Sequence, residues 1–289
     1  MKTEVSQFFE NTVKKEFPDL SWDNSELIES GWDHYILILD GKLVFRKPKD
    51  SRYIKVFENE ISFMKYLKNF TRTKMPDYQF IASDGSFAGY ELIQGRSLDT
   101  DYVESLNESD RDTLAQQIAG FLTDIHKLPL TAKNEFDIRS SDYAGDFNEL
   151  ECKTEKMLYS KLSTGEVEDV RKFLREYREM LRTVNCDTFL HNDLGGEHIF
   201  WDEKSKKIGV IDFSDREFGD PAFDFTGMVE FGTEFTEKVI KYYQGEKDNG
   251  FLYRAQMYFK RIPLMLMIDS MEGFPCTFED GYRMMKKYW

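Results

Sequence analysis

Two short apolar runs, 35–39 and 43–47, are separated by Asp40-Gly41-Lys42. Asp-Gly between apolar runs predicts a β-hairpin, because its residues tolerate the positive φ that a tight turn needs. Pro48 lacks the N–H to continue the ladder and stops the second strand. A further strand is expected to begin at 26–29 and to end in Ser30-Gly31-Trp32-Asp33. Val56, Phe57, Ile61, Met64 and Leu67 recur at helical spacing, which predicts a helix over 53–69. Two more strands are expected at 78–81 and 87–93. The first segment thus reads as strands around one helix, and no element is assigned to residues 1–17. Gln94-Gly95-Arg96-Ser97 reads as a hinge.

Beyond the hinge the pattern turns mostly helical. Leu114, Ile118, Phe121, Leu122 and Ile125 line one side of a helix over 110–127, and a second amphipathic helix covers 166–183. A β-rich insert interrupts them, with runs at 189–190, 199–201 and 208–211. The fold class expected is α+β and bilobal: a small β-rich N-lobe (1–93), a hinge about 91–97, and a larger, mostly helical C-lobe (94–289).

A chain of 289 residues accommodates one large domain or two small ones, and an apolar fraction of 40% supports a packed core. The formal net charge of −14 argues against a general nucleic-acid binder, which needs a basic face, and permits a cationic partner. Cys152, Cys186 and Cys276 are an odd number, widely spaced, with no Cys-x-x-Cys pair, so neither a disulfide framework nor a zinc site is expected. The N-terminus has no apolar leader core, and the apolar run at 262–268 is too short to span a bilayer. These features lead to the expectation of a cytoplasmic protein with no membrane role, taken to be a monomer.

The chemistry concentrates in two stretches. One is Phe189-Leu190-His191-Asn192-Asp193-Leu194-Gly195-Gly196-Glu197-His198, and the other is Gly209-Val210-Ile211-Asp212-Phe213-Ser214. A hairpin joining the apolar runs would gather Asp193, His198 and Asp212. Phosphoryl transfer from a nucleotide needs such a set: one carboxylate for the acceptor hydroxyl, and a second carboxylate with another ligand for magnesium on the phosphates.

The order His191-x-Asp193, His198 five residues later, then Asp212-Phe213-Ser214, resembles the aminoglycoside phosphotransferase family, a branch of the protein-kinase-like fold. Within it the chain looks most like the 2″-aminoglycoside phosphotransferases. They and the macrolide kinases place His where most kinases have Asn. Further matching stretches are Gly31-Trp32-Asp33, Leu43-Val44-Phe45-Arg46-Lys47-Pro48-Lys49, Asn59-Glu60, Phe87-Ala88-Gly89-Tyr90 and Gly219-Asp220-Pro221-Ala222-Phe223-Asp224-Phe225.

The resemblance implies a catalytic role for Asp193, which also touches the acceptor, and a Mg2+ site at His198 and Asp212. ATP or GTP is the implied donor. Gly31, Arg46, Glu60, Tyr90, Glu91 and Ile93 are its implied contacts, with Tyr90 at the back of the purine pocket. Arg46 takes the place of the conventional strand lysine if the strand is aligned by its apolar residues; Lys47 and Lys49 are the alternatives. Strand alternation sets Arg46 on the face opposite Phe45 and Lys47. The implied acceptor is a polycationic aminoglycoside, with Glu230 and Glu234 as its carboxylates. The alternatives are a macrolide or small-metabolite kinase, or a nucleotide-binding module without turnover.

The chain departs from the kinase pattern in lacking a Gly-x-Gly-x-x-Gly loop and in carrying Ser214 for glycine. His191 is expected to hold its loop by hydrogen bonds, His34 to lie in a surface loop, and His126 to be structural. Asp220 before Pro221 reads as a helix N-cap. Asp224 is read as structural, and Trp201 and Trp289 as packing residues.

Overall fold

The computed structural model describes residues 4–29 and 33–289. In chain order they form α1 (Glu4–Glu16), β1 (Ser25–Ile28), β2 (His34–Leu39), β3 (Leu43–Pro48), α2 (Ile54–Leu67), β4 (Phe80–Ile81), β5 (Ala88–Glu91) and β6 (Arg96–Ser97). Then come α3 (Thr100–Ser105), α4 (Glu108–Ile125), α5 (Ala132–Glu135), α6 (Tyr143–Lys153), α7 (Thr164–Leu181), β7 (Thr188–Leu190), β8 (Ile199–Asp202) and β9 (Lys207–Val210). The last are β10 (Glu217–Gly219), α8 (Thr226–Glu230), α9 (Thr233–Tyr242), α10 (Phe251–Glu272) and α11 (Phe278–Tyr288). No helix among the described residues is long and apolar enough to cross a membrane. The three cysteines are free. The chain divides into two compact units, Met1–Leu98 with Glu197–Ser214, and Asp99–Gly196 with Asp215–Trp289.

The first unit is built on an antiparallel sheet of order β1-β2-β3-β5-β4. The Asp40-Gly41 turn joins β2 to β3 with both residues at positive φ, 50° and 60°. One face of the sheet carries Leu37, Leu39 and Phe45, which pack with Phe87 and with Phe9 and Val13 of α1. The other carries Val44 and Tyr90, packed with Ile93, Ile36, Ile38, Phe200 and Ile211. The alternation of β3 therefore puts Arg46 on the second face, since Ile36 is its cross-strand partner and Phe45 points the other way.

Helix α1 was not expected from the sequence. Only Ser6, Phe9 and Val13 are buried on it, a stripe too narrow to stand out among charged neighbours. Packing against the sheet, rather than intrinsic propensity, holds such a helix.

The 94–97 segment also differs from expectation. Arg96 and Ser97 form strand β6, paired with Trp201 and Phe200 of β8. Gly95 sits at φ 134°, and a Cβ there would lie 2.8 Å from the Trp201 carbonyl. The β8–β9 hairpin is tied in further by Leu98 N–H to the Ile199 carbonyl and Val210 N–H to the Lys74 carbonyl. The first unit accordingly ends at Leu98 rather than at residue 93, and recruits the later hairpin by these bonds.

The second unit is helical apart from the β7–β10 pair. Helix α4 buries Leu114, Ile118, Phe121, Leu122 and Ile125, as its spacing predicts. It starts earlier than residue 110, because Asn107 caps it by accepting the Asp110 N–H. Ser163 and Glu166 form a capping box on α7. Trp201 is buried in the first unit, and in the second Trp289 packs on Phe173 and donates its indole N–H to the Lys260 carbonyl.

Candidate active site

In the first unit, the second sheet face holds a buried ionic cluster. Arg46 of β3 and Glu60 of α2 meet at 2.7 Å, with side chains 5% and 3% exposed. Tyr78 Oη lies 3.0 Å from the same guanidinium nitrogen, Nη1, and donates to Glu60 Oε1 at 2.8 Å. The other nitrogen, Nη2, lies 3.5 Å from His34 Nδ1 and 3.4 Å from Asp212 Oδ1. Burial alone would lower the Arg46 pKa, but the Glu60 carboxylate and its neighbours carry the net shift upward, so the cation persists at any physiological pH. Lys49 is engaged elsewhere: it donates to the Glu29 carbonyl at 2.7 Å and lies over the Tyr35 ring.

His34 is not a surface-loop residue. It is the first residue of β2, is half-buried, and has its ring 5.2 Å from that of Phe57. Burial first, then the neighbouring Arg46 cation, pushes its imidazole down to about 4. Strand alternation was the missed signal: His34, Ile36 and Ile38 share one face, as do Val44 and Arg46. Tyr78 likewise escaped sequence reasoning, where it reads only as the first residue of the strand expected at 78–81; the observed strand is Phe80–Ile81.

Tyr90 of β5 is buried, pairs across the ladder with Val44, and meets Tyr78 edge-on at 5.3 Å. Burial raises its phenol to about 12. Glu91 is exposed at the end of β5, and Ile93 is buried. Gly31 lies outside the described residues.

The β8–β9 hairpin brings His198 and Asp212 to its open end. Ile199 pairs with Val210, and the next bond runs from Ile211 N–H to the His198 carbonyl at 3.0 Å. Asp212 has φ 64°, an unusual value for a residue with a Cβ. Ser214 Oγ donates to Asp212 Oδ1 at 2.7 Å, a bond glycine would not supply. The Asp212 side chain remains 35% exposed. Asp193 belongs to the second unit.

There Asp193 is exposed, on a loop whose backbone is clamped from behind. Asp224, 1% exposed, accepts the His191 N–H at 2.8 Å and the Asn192 N–H at 2.7 Å. His126 Nε2 bonds the same carboxylate at 3.0 Å, and its Nδ1 meets the Tyr243 hydroxyl at 2.7 Å. Burial pushes the Tyr243 phenol upward, so it stays protonated and donates to Nδ1, leaving Nε2–H to donate to Asp224. Asn192 adopts φ 69°, which turns the loop sharply just before Asp193. His191 is fully buried and its Nδ1 accepts the Asp193 N–H at 3.4 Å.

Asp220 caps the following turn through the Ala222 N–H and is also held by Arg254 at 2.6 Å and Tyr258 at 2.9 Å. Helix α8 packs tightly on the Asp193 loop: a Cβ on Gly227 would lie 2.2 Å from the Leu194 carbonyl. Glu230 ends α8 and Glu234 opens α9, both exposed. Glu217 is instead buried against Arg139 and Ser141. The unit thus offers one exposed carboxylate on a rigid turn, with two more acids on the helices that follow.

A family profile described as the phosphotransferase enzyme family matches residues 25–256. The uncharacterized protein YcbJ of Bacillus subtilis (strain 168) is 21% identical over 235 residues, covering 76% of this chain and 75% of that protein. Among solved structures, the GDP and kanamycin complex of APH(2″)-IIIa superposes with a TM-score of 0.86 at 23% identity, covering 97% of both chains. A macrolide 2′-phosphotransferase type I superposes with a TM-score of 0.71 at 17% identity, covering 99% of this chain and 98% of that one. These superpositions establish the α+β, kinase-like fold. With the profile spanning most of its length, the chain belongs to the phosphotransferase enzyme family.

Proposed function

We propose that the protein transfers the γ-phosphate of ATP or GTP to a hydroxyl of a polycationic aminoglycoside, at the 2″ position. The observation that carries the reading is the exposed Asp193 on a loop fixed by the buried Asp224. A carboxylate held in this way orients an acceptor hydroxyl and takes its proton during attack on phosphorus. The likeness to a structure bound to GDP and kanamycin supports the choice of substrates.

Arg46 is the cation toward the donor phosphates. Its Nη1 is fixed by Glu60 and Tyr78, while Nη2 faces the side of Asp212. Tyr90 walls the purine pocket, with the Glu91 and Ile93 backbone at its edge. The Leu92 N–H is committed to the Lys42 carbonyl. Gly31 completes the phosphate contacts in this reading.

Among the described residues, no group of three or more His, Cys, Asp or Glu side chains forms a metal cluster. That suits magnesium, which takes one or two protein ligands and fills its shell with phosphate oxygens and water. Asp212, partly exposed and oriented by Ser214, and His198 at the same hairpin end would hold it. Bound there, the ion would neutralise charge on the phosphate oxygens. Glu230 and Glu234 supply carboxylates for the ammonium groups of the acceptor.

The test is nucleotide turnover with ATP and with GTP against a panel of aminoglycosides and macrolides, followed by NMR of the product. Phosphate on a 2″ oxygen is expected. Turnover with macrolides and with no aminoglycoside would replace this reading by the macrolide one, and no turnover with any acceptor would leave only nucleotide binding.

A further inference from the structure

We propose that His34 is a positioning residue for Arg46, accepting a guanidinium N–H on Nδ1 so that β3 carries an arginine in the phosphate-gripping place. The inference rests on the reading that Arg46 grips the donor phosphates.

The argument begins with donors. A guanidinium presents five N–H groups in a rigid fork, where an ammonium presents three from one point. Arg46 is 4% exposed, so its donors need partners within the protein. Nη1 has Glu60 and Tyr78. Nη2 has Asp212 at 3.4 Å and His34 Nδ1 at 3.5 Å. Asp212 is also engaged by Ser214 and is the acid assigned above to the metal. His34 is then the neutral acceptor that fixes the outer limb of the fork without competing for that carboxylate.

The ring is placed for this task. It starts β2 on the face shared with Arg46, and the ring and the guanidinium both lie against Phe57, at 5.2 and 5.9 Å. To accept, Nδ1 must be unprotonated, and the imidazole, pushed down to about 4, is neutral at neutral pH with its proton on Nε2. That Nε2 is buried and has no hydrogen-bond partner among the described residues. A ring placed for its own hydrogen bonds would not leave that donor unused, whereas one placed for the arginine does.

The test is a double-mutant cycle with His34→Leu, His34→Asn, Arg46→Lys and the pair His34→Leu/Arg46→Lys, read as nucleotide KM, acceptor KM, kcat and Tm. Asn carries an acceptor oxygen near the place of Nδ1, and Leu fills the volume without one. His34→Leu is expected to raise nucleotide KM about tenfold, with acceptor KM unchanged. His34→Asn should restore most of the loss. Adding His34→Leu to Arg46→Lys should cost little more, because an ammonium does not need the acceptor. Equal losses in the Leu and Asn variants, or additive losses in the cycle, would overturn the proposal. If Arg46→Lys and Arg46→Ala both leave nucleotide KM unchanged, the phosphate reading fails on its own. The pairing is then decided by Tm: coupling in the cycle upholds it, and additivity overturns it.

Discussion

Asp224 in the second unit and Asp212 in the first are the same side chain put to opposite uses. Asp224 is 1% exposed and accepts three hydrogen bonds, from two successive backbone N–H groups and from His126. Asp212 is oriented by the Ser214 hydroxyl, lies 3.4 Å from Arg46 Nη2, and keeps 35% of its side chain open to solvent. A carboxylate enclosed by donors has its lone pairs committed, so it fixes the backbone that surrounds it. A carboxylate with an open edge retains capacity for a ligand. Asp220, enclosed by Arg254, Tyr258 and the Ala222 N–H, belongs with Asp224, and the exposed Asp193 belongs with Asp212. Burial and donor count, rather than residue type, therefore separate scaffold acids from those available for chemistry.

The sharpest way to break this division is Asp212→Ala. Turnover should vanish in a phosphate-release assay while Tm falls far less than in Asp224→Ala, because the buried donor left short, Arg46 Nη2, keeps His34 Nδ1. A large fall in Tm would place Asp212 among the scaffold acids. Asp193→Asn should lower kcat on the order of 10²-fold or more, with nucleotide KM nearly unchanged. Near-normal turnover would remove Asp193 from the chemistry.

Asp224→Ala tests the other side. It strands His126 and two backbone N–H groups, and chemical denaturation should show a loss of about 3–5 kcal/mol. A stable Asp224→Ala protein with normal kcat would contradict the clamp.

A smaller effect is expected from pH. His34 titrates at about 4 when folded and near 6.5 when unfolded, so the unfolded chain takes up the proton first as pH falls. This group contributes stability that is full above about pH 6.5 and is lost progressively down to about 4, at most about 3 kcal/mol. His34→Leu should remove that part of the pH dependence of Tm, and an unchanged profile would argue against the burial of the ring. Smallest is Glu230→Gln. It should raise aminoglycoside KM by about threefold to tenfold with little change in kcat, and salt should weaken the parent in the same direction. If KM responds to neither, Glu230 is a solvated helix end.

Much of the scaffold was legible because it is written locally. The Asp40-Gly41 hairpin, α2, α4 and α7 follow from short-range periodicity and turn chemistry. Asp220 announces itself through the proline that follows it. What was illegible depends on distant partners. His34 looks like a loop residue until Arg46, 12 positions on, and Phe57 enclose it. Helix α1 shows too few apolar residues to declare itself without the sheet beneath it. The membership of residues 197–214 in the first unit goes with the Arg96–Trp201 and Ser97–Phe200 pairings, which no local pattern contains.

The recruitment of residues 197–214 into the first unit has a consequence for biosynthesis. On the ribosome, the first 98 residues emerge with one sheet face still lacking Phe200 and Ile211, which cover Val44, Tyr90 and Ile93 in the finished protein. That face cannot close until about three quarters of the chain has been made, with nearly a hundred residues of the other unit translated in between. Contacts so far apart in sequence slow folding and leave apolar surface exposed meanwhile. A nascent chain stalled before residue 197 should therefore be captured by chaperones and cleaved by proteases within its first 98 residues, and one stalled well past 214 should resist both.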